Sequence, residues 1–172
     1  MIRRLVSSRR RAVLLSVSAV ACLSAAAVYV FAYDGAGDGR VAVPSASAKA
    51  SAICGRLHAS LPAEVDGLPR RALEPASRLT AGWGDPTVVL RCGVPRPEVL
   101  TPGSRTYDPT SDAADVNGVS WLVQQLEGGG YRFTTTGRTA FVEVTVPTEY
   151  APEVNPLTDL AAAVKRTVPS EL

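Results

Sequence analysis

The chain has 172 residues, a net charge of +2, three cysteines and one histidine. Five of its 18 basic residues lie within the first eleven positions, so the rest of the chain carries 13 basic and 16 acidic residues, near −3. Nucleic-acid binding needs a clustered positive surface, which an acidic domain lacks, so we exclude a nucleic-acid partner. We also predict no metal and no cofactor, because no motif for either is present.

The N-terminus predicts a membrane anchor. Residues 12–33 are an unbroken apolar run of 22 residues, preceded by Arg3, Arg4, Arg9, Arg10 and Arg11. As a helix the run would reach roughly 33 Å, enough to cross a hydrocarbon core of about 30 Å. Because positive charge marks the cytoplasmic side, residues 1–11 are predicted to be cytoplasmic, residues 12–33 a transmembrane helix or signal anchor, and the remainder extracytoplasmic. The expected localisation is the plasma membrane, with a single pass.

Three alternatives share this segment. The small residues 25–27 fit the cleavage site of a removable signal peptide. The string that ends at Cys22 resembles a lipoprotein cleavage site, in which Cys22 would carry the lipid, and residues 8–10 have a twin-arginine appearance. Residues 23–33 remain apolar, whereas the mature end of an exported protein normally turns polar at once. This favours the retained helix.

Residues 34–49 have the composition of a flexible linker, with Gly, Asp, Ser and Pro and few large apolar side chains. Residues 50–172 then form the exported domain. Its length of about 120 residues is near the common size for one compact domain.

Two periodicities place the cysteines of this domain. Apolar residues at helical spacing around Cys54 predict a helix with Ser47 as its cap and Pro62 as its stop. In residues 86–94 apolar and polar residues alternate, which predicts a strand with Cys92 on its apolar face. A helix packed over this strand would bring the two cysteines together.

We therefore predict a disulfide between Cys54 and Cys92, since thiols outside the cytoplasm are not held reduced. The alternative is a zinc site that adds His58, four residues after Cys54, to the two cysteines. This ligand set is incomplete, and an oxidising compartment favours the disulfide.

The remaining segments predict more strands and a final helix. Residues 117–125, 131–136 and 139–147 read as strands, the last two as a hairpin through Gly137 and Arg138. Residues 95–116 form a long irregular connection. A helix with Asn155 as its cap, Pro156 at its first position and Pro169 after its end closes the chain. The fold class is α+β: after the transmembrane helix, a two-layer domain with a mainly antiparallel sheet of four or more strands and two flanking helices.

The strand faces opposite the apolar ones carry a group of polar side chains, which gives a candidate ligand-binding surface. Arginine there would hold a carboxylate or phosphate by paired hydrogen bonds. The alternative is that these residues solvate the sheet and pair with the one acid among them. The surface consists of Arg91, Arg132, Thr134, Thr136 and Glu143.

Several strings resemble the actinobacterial domain-of-unknown-function family 3515, over residues 51–169. They are residues 83–86 (WGDP), 88–97 (VVLRCGVPRP), 116–119 (VNGV), 121–122 (WL), 131–139 (YRFTTTGRT) and 142–147 (VEVTVP). The resemblance implies a membrane-anchored or lipid-anchored envelope protein, and the family has no assigned activity.

Two classes of function follow. The first is a non-catalytic binding or assembly module of the cell envelope, tethered to the membrane, whose partner is an envelope protein, a wall polymer or a small ligand. The second is an envelope enzyme that uses carboxylates, chosen among Asp85, Asp108, Asp112, Asp115 and Glu143. No catalytic pattern singles out any of these acids, and the lone His58 is the only histidine available as a base. We expect the first class.

Overall fold

A computed structural model describes residues 39–171 of the chain. The predicted cytoplasmic segment, the predicted transmembrane segment and Cys22 lie outside the described residues, as do residues 34–38 of the predicted linker. Within residues 39–171, no helix combines the length and the apolar character needed to cross a membrane. The described part of the linker contacts the domain: Val41 N donates to Glu74 O (2.9 Å), and Glu74 N donates to Gly39 O (2.8 Å).

The first helix, α1, spans Ala48–Ser60 and confirms the prediction around Cys54. Ser47 is its N-cap, with a side-chain oxygen that accepts a hydrogen bond from Ala50 N (3.2 Å). Such a bond satisfies one of the amides that a helix start leaves without a partner. Ile53, Cys54 and Leu57 are the buried residues of the helix.

Within residues 39–171, eight strands form one antiparallel sheet in the order β1-β2-β3-β4-β8-β7-β6-β5. The predicted strands correspond to β4, β6, β7 and β8, and the sequence did not predict the other four. The strand bounds are Glu64–Val65 (β1), Leu68–Arg71 (β2), Thr80–Trp83 (β3), Val88–Val94 (β4), Ala113–Val116 (β5), Val119–Gln125 (β6), Tyr131–Thr135 (β7) and Phe141–Val146 (β8).

The hairpin of β5 and β6 lies partly inside the segment predicted as irregular. Its turn is Asn117-Gly118, with φ of 52° and 78°. Two residues at positive φ are the requirement of the tight hairpin turn that matches strand twist, and Asn-Gly is the preferred pair. Asp115 supports the turn by accepting a hydrogen bond from Gly118 N (3.0 Å).

The second helix, α2, spans Asn155–Thr167, and the predicted cap at Asn155 is wrong by one residue. Val154 is the flanking residue, with helical φ and ψ of −76° and −21° and no side-chain cap bond. The preceding turn already has a helical sense, because Asn155 N donates to Pro152 O (2.9 Å). Asn155 is therefore the first residue inside the helix.

Both helices pack against each other and against the same face of the sheet, so the described domain is a two-layer α+β fold, as predicted. The core lies between the layers and includes Trp83 and Trp121, which are both fully buried. On the other face of the sheet, Leu122 and Thr134 are also buried.

Candidate functional site

The disulfide between Cys54 and Cys92 joins α1 to β4, with 5.6 Å between the two Cα atoms. The cysteines are 0% and 1% exposed, so the bond lies inside the core. This confirms the predicted pairing and overturns the zinc alternative, because sulfurs bonded to each other are not the thiolates that bind zinc. In the described part of the chain, no three His, Cys, Asp or Glu side chains are grouped as metal ligands.

The predicted polar surface exists in part and centres on Glu143. The register places Arg91 opposite Glu143 on one side and Thr134 opposite it on the other. Arg91 Nε donates to Glu143 Oε1 (2.9 Å), and Arg91 Nη2 lies 2.7 Å from the same oxygen. Arg132 Nε is 3.6 Å from Glu143 Oε2, which is an ion pair beyond hydrogen-bonding distance. Two arginines therefore share one carboxylate.

Thr136 does not join this cluster. It follows the end of β7, and its hydroxyl donates to Ser120 O (3.4 Å). Thr134, 1% exposed, offers little surface to a ligand. The arginine side chains remain 30% and 41% exposed, for Arg91 and Arg132, while Glu143 is 10% exposed. A carboxylate ligand here would compete with Glu143 for the same donors, and ligand binding at this surface stays a prediction.

Three of the other acids that the sequence offered for catalysis, Asp85, Asp108 and Asp115, are held in local interactions. Asp85 forms an ion pair with Arg71 at 2.7 Å. Asp108 accepts hydrogen bonds from the Thr110 backbone (2.8 Å) and the Thr110 hydroxyl (2.6 Å). Both bonds lower the pKa of the Asp108 carboxyl below its ordinary value, and the bond from the hydroxyl has the larger effect. Hydrogen bonds to the ionised form favour the charged state, which suits a structural turn.

A second polar location, which the sequence did not predict, is a pocket at the edge of the sheet. β2 pairs with β3 at Arg70 and Arg71 and then leaves the sheet, and the chain returns only at Thr80. The gap is an open cavity of about 350 Å³, called the edge pocket below. The residues that line it include His58, Arg70, Arg71, Leu73, Ser77 and Thr80.

Arg70 is held in place beside the edge pocket by three contacts. Its guanidinium carbon lies 4.9 Å from the centre of the Trp83 ring, within the range of a cation–π interaction. One nitrogen donates to Pro62 O (3.5 Å), and the other lies 3.2 Å from His58 Nε2. An arginine has no acceptor atom, so His58 Nε2 accepts this bond and the imidazole is neutral with its proton on Nδ1.

The electrostatics of His58 agree with a neutral imidazole. Burial, followed by the positive charges of Arg70 and Arg78, lowers the pKa of His58 below its ordinary value of 6.5. Desolvation and like charge both disfavour the protonated imidazole. The only sequence signal for this region was the pair Arg70-Arg71, twelve residues after the only histidine, and nothing in that spacing placed α1 against β2.

A second cavity, of about 440 Å³, lies beside the disulfide. Ser47, Gly93, Thr139 and Phe141 are among its lining residues, and none of the described residues that line it is charged. It therefore offers no ion pair to a ligand.

The fold and these sites define a class: a two-layer α+β domain stabilised by an internal disulfide, with arginine-rich polar sites on its sheet. The chain belongs to the family described as protein of unknown function (DUF3515), whose model matches residues 13–172. This confirms the resemblance and extends it from residues 51–169 into the apolar N-terminal run. No curated protein matches the chain, and no solved structure does.

Proposed function

We propose that this chain is a membrane-tethered protein whose domain lies outside the plasma membrane and serves as a non-catalytic binding or assembly module of the cell envelope. The tether is the apolar segment of residues 12–33, oriented by the arginines before it. The family match begins at residue 13 and so takes in nearly all of that segment together with the domain. Its expected partner is an envelope protein, a wall polymer or a small ligand.

The observation that carries the proposal is the buried disulfide. Disulfides form and persist in oxidising compartments and are rare where glutathione and thioredoxin keep thiols reduced. Cys54 and Cys92 lie in the packed interior between α1 and β4, where a transient redox pair would be inaccessible. A domain whose core is built around this bond suits an extracytoplasmic location.

The state of the ionisable groups favours binding over catalysis. A general acid or base must exchange a proton with the substrate, so it needs an accessible site for that proton. Glu143 is occupied by two arginines, Asp85 by Arg71, and His58 Nε2 by Arg70. An envelope enzyme that used Glu143 or Asp85 would have to break these ion pairs before the carboxylate could react.

The test follows the full-length chain in its own cells. After cell breakage the chain should stay with the membranes through alkaline carbonate washing, and peptides prepared without reduction should contain Cys54 joined to Cys92. A chain released by the wash, with both thiols free, would overturn the proposal. A Cys22→Ser variant separates the two anchors: a retained helix leaves membrane attachment unchanged, whereas a lipid anchor is lost.

A further inference from the structure

We infer that the edge pocket binds a small oxyanion carried on a short apolar body, such as a carboxylic acid or a phosphate monoester. This inference rests on the proposed binding function and gives it a ligand class. The site is distinct from the cluster around Glu143, because its arginines, Arg70 and Arg71, lie on β2 and do not contact Glu143 in the described part of the chain.

The first support is charge. Three ion pairs join basic and acidic side chains within residues 39–171, and they engage Arg71, Arg91 and Arg132. Arg70 therefore has no carboxylate partner in the described part of the chain, and His58 beside it is neutral. The pocket wall keeps an uncompensated positive charge, although the domain as a whole is acidic.

The second support is the fixed geometry of Arg70. A guanidinium group has five N–H donors, and Pro62 and His58 take up two of them. The remaining donors suit the paired oxygens of a carboxylate or phosphate. Because the Trp83 ring and these two partners already hold the side chain, little conformational freedom remains to be lost on binding.

The third support is a backbone donor at Thr80. Leu79 O accepts a hydrogen bond from Cys92 N of β4 (2.8 Å). The C=O and N–H of one trans peptide point in opposite directions, so Thr80 N–H points away from β4, towards the gap that β2 leaves. The pairing of β2 with β3 ends at Arg71 opposite Gly82, so within residues 39–171 no strand residue is paired with Thr80 on this side. Thr80 itself is 4% exposed and lines the edge pocket.

The fourth support is the apolar part of the wall. Ala72, Leu73, Ala76 and Ala81 line the same cavity as the arginines. Leu73 is fixed there, because it packs over Gly82, where a Cβ atom would lie 2.8 Å from Leu73 Cδ2. The volume of about 350 Å³ is at the low end for ligand pockets, which fits a small amphiphilic molecule.

The test uses the full-length, untagged chain in an uncharged detergent and a buffer free of oxyanions. His58 is the only histidine, so histidine labelling gives one imidazole NMR signal, and it reports from the pocket wall. Four probes are titrated: hexanoate, hexyl phosphate, inorganic phosphate and 1-hexanol. The first two carry an oxyanion on an apolar chain, the third lacks the chain and the fourth lacks the charge.

We expect hexanoate or hexyl phosphate to shift the His58 signal saturably, and the stronger of the two identifies the oxyanion. Arg70→Gln should weaken that binding on the order of ten-fold or more, because it removes a charged hydrogen-bond donor. Ala76→Phe, a change at an exposed loop residue, should block the pocket while leaving Arg70 and its contacts in place. The matched control is Arg56→Gln, at an exposed arginine of α1 that does not line the pocket, and it should bind as the parent does.

Three results would overturn the inference: equal binding by the parent and Arg70→Gln, binding of 1-hexanol as tight as that of hexanoate, or binding of inorganic phosphate alone. Absence of any saturable shift would overturn it as well. The outcome is independent of the cellular location. Hexanoate binding by a chain whose domain proved to be cytoplasmic would refute the proposed function and leave the pocket standing.

Discussion

Removing the disulfide should lower the free energy of unfolding of the domain by about 4 kcal/mol. Cys54 and Cys92 are separated by 38 residues in the chain. In the chain-entropy model, closing a loop of this length lowers the entropy of the unfolded state by about 13 cal/mol/K, which corresponds to about 4 kcal/mol at 25 °C. Small domains are stable by about 5–15 kcal/mol, so the loss is a large part of the total.

The perturbation is the double variant Cys54→Ala/Cys92→Ala, which removes the bond without burying a hydroxyl group. Urea unfolding is followed by tryptophan fluorescence, since Trp83 and Trp121 are both fully buried and become exposed on unfolding. The matched control is Cys22→Ala, which removes a cysteine outside the pair and should leave the transition of the domain unchanged. A double variant within about 1 kcal/mol of the parent would refute the reasoning.

Three further predictions concern single residues, each measured by the same unfolding assay. Glu143→Gln should lower the free energy of unfolding by about 2 kcal/mol, because it removes the charge that holds two arginines. The arginine side chains are partly exposed, so this loss is near the low end of the range for charged hydrogen bonds. The parent should lose stability relative to His58→Gln as the pH falls through 6.5, because the lowered pKa means that the unfolded chain binds the proton more readily. Gly130→Ala should cost at least about 2 kcal/mol, because φ is +70° and the new Cβ would meet the Val146 carbonyl oxygen.

A different result would contradict each of these three predictions. For Glu143→Gln, that result is an unchanged midpoint of urea unfolding. For His58→Gln it is a pH dependence between 7.5 and 5.5 identical to that of the parent. For Gly130→Ala the matched control is Gly128→Ala, where a Cβ meets nothing within 4 Å and φ is not in the left-handed region. Equal effects at the two glycines would refute the argument.

The sequence predicted those elements whose apolar pattern repeats over several residues. Cys54 was placed by a helical period and Cys92 by a strand period, and both patterns pointed to the same core, so the disulfide followed from them. The central strands β4, β6, β7 and β8 alternate clearly for the same reason.

Strands β1, β2, β3 and β5 were missed because their sequences have little alternating pattern to detect. β1 has two residues and β2 four, and the two faces of β2 are not distinguished by polarity. β3 is buried at every position, so it does not alternate. The turn Asn117-Gly118 was a usable signal for the hairpin of β5 and β6, but the segment before it is too polar to read as a strand.

Of the two candidate sites, the sequence predicted one and not the other. The cluster of Arg91, Arg132 and Glu143 was predicted because a strand period of two places alternate residues on one face. The edge pocket was not predicted, because it depends on where β2 leaves β3 and on α1 bringing His58 to Arg70. These are contacts between elements, which local periodicity does not encode.

The most direct test of the extracytoplasmic location is labelling in intact cells with a membrane-impermeant maleimide. A Glu127→Cys variant offers an exposed thiol in the turn between β6 and β7, and Ser8→Cys places one in the predicted cytoplasmic segment. We expect the thiol at position 127 to react in intact cells and the thiol at position 8 to react only after the cells are broken. Labelling at position 127 only after cell breakage would contradict an exported domain.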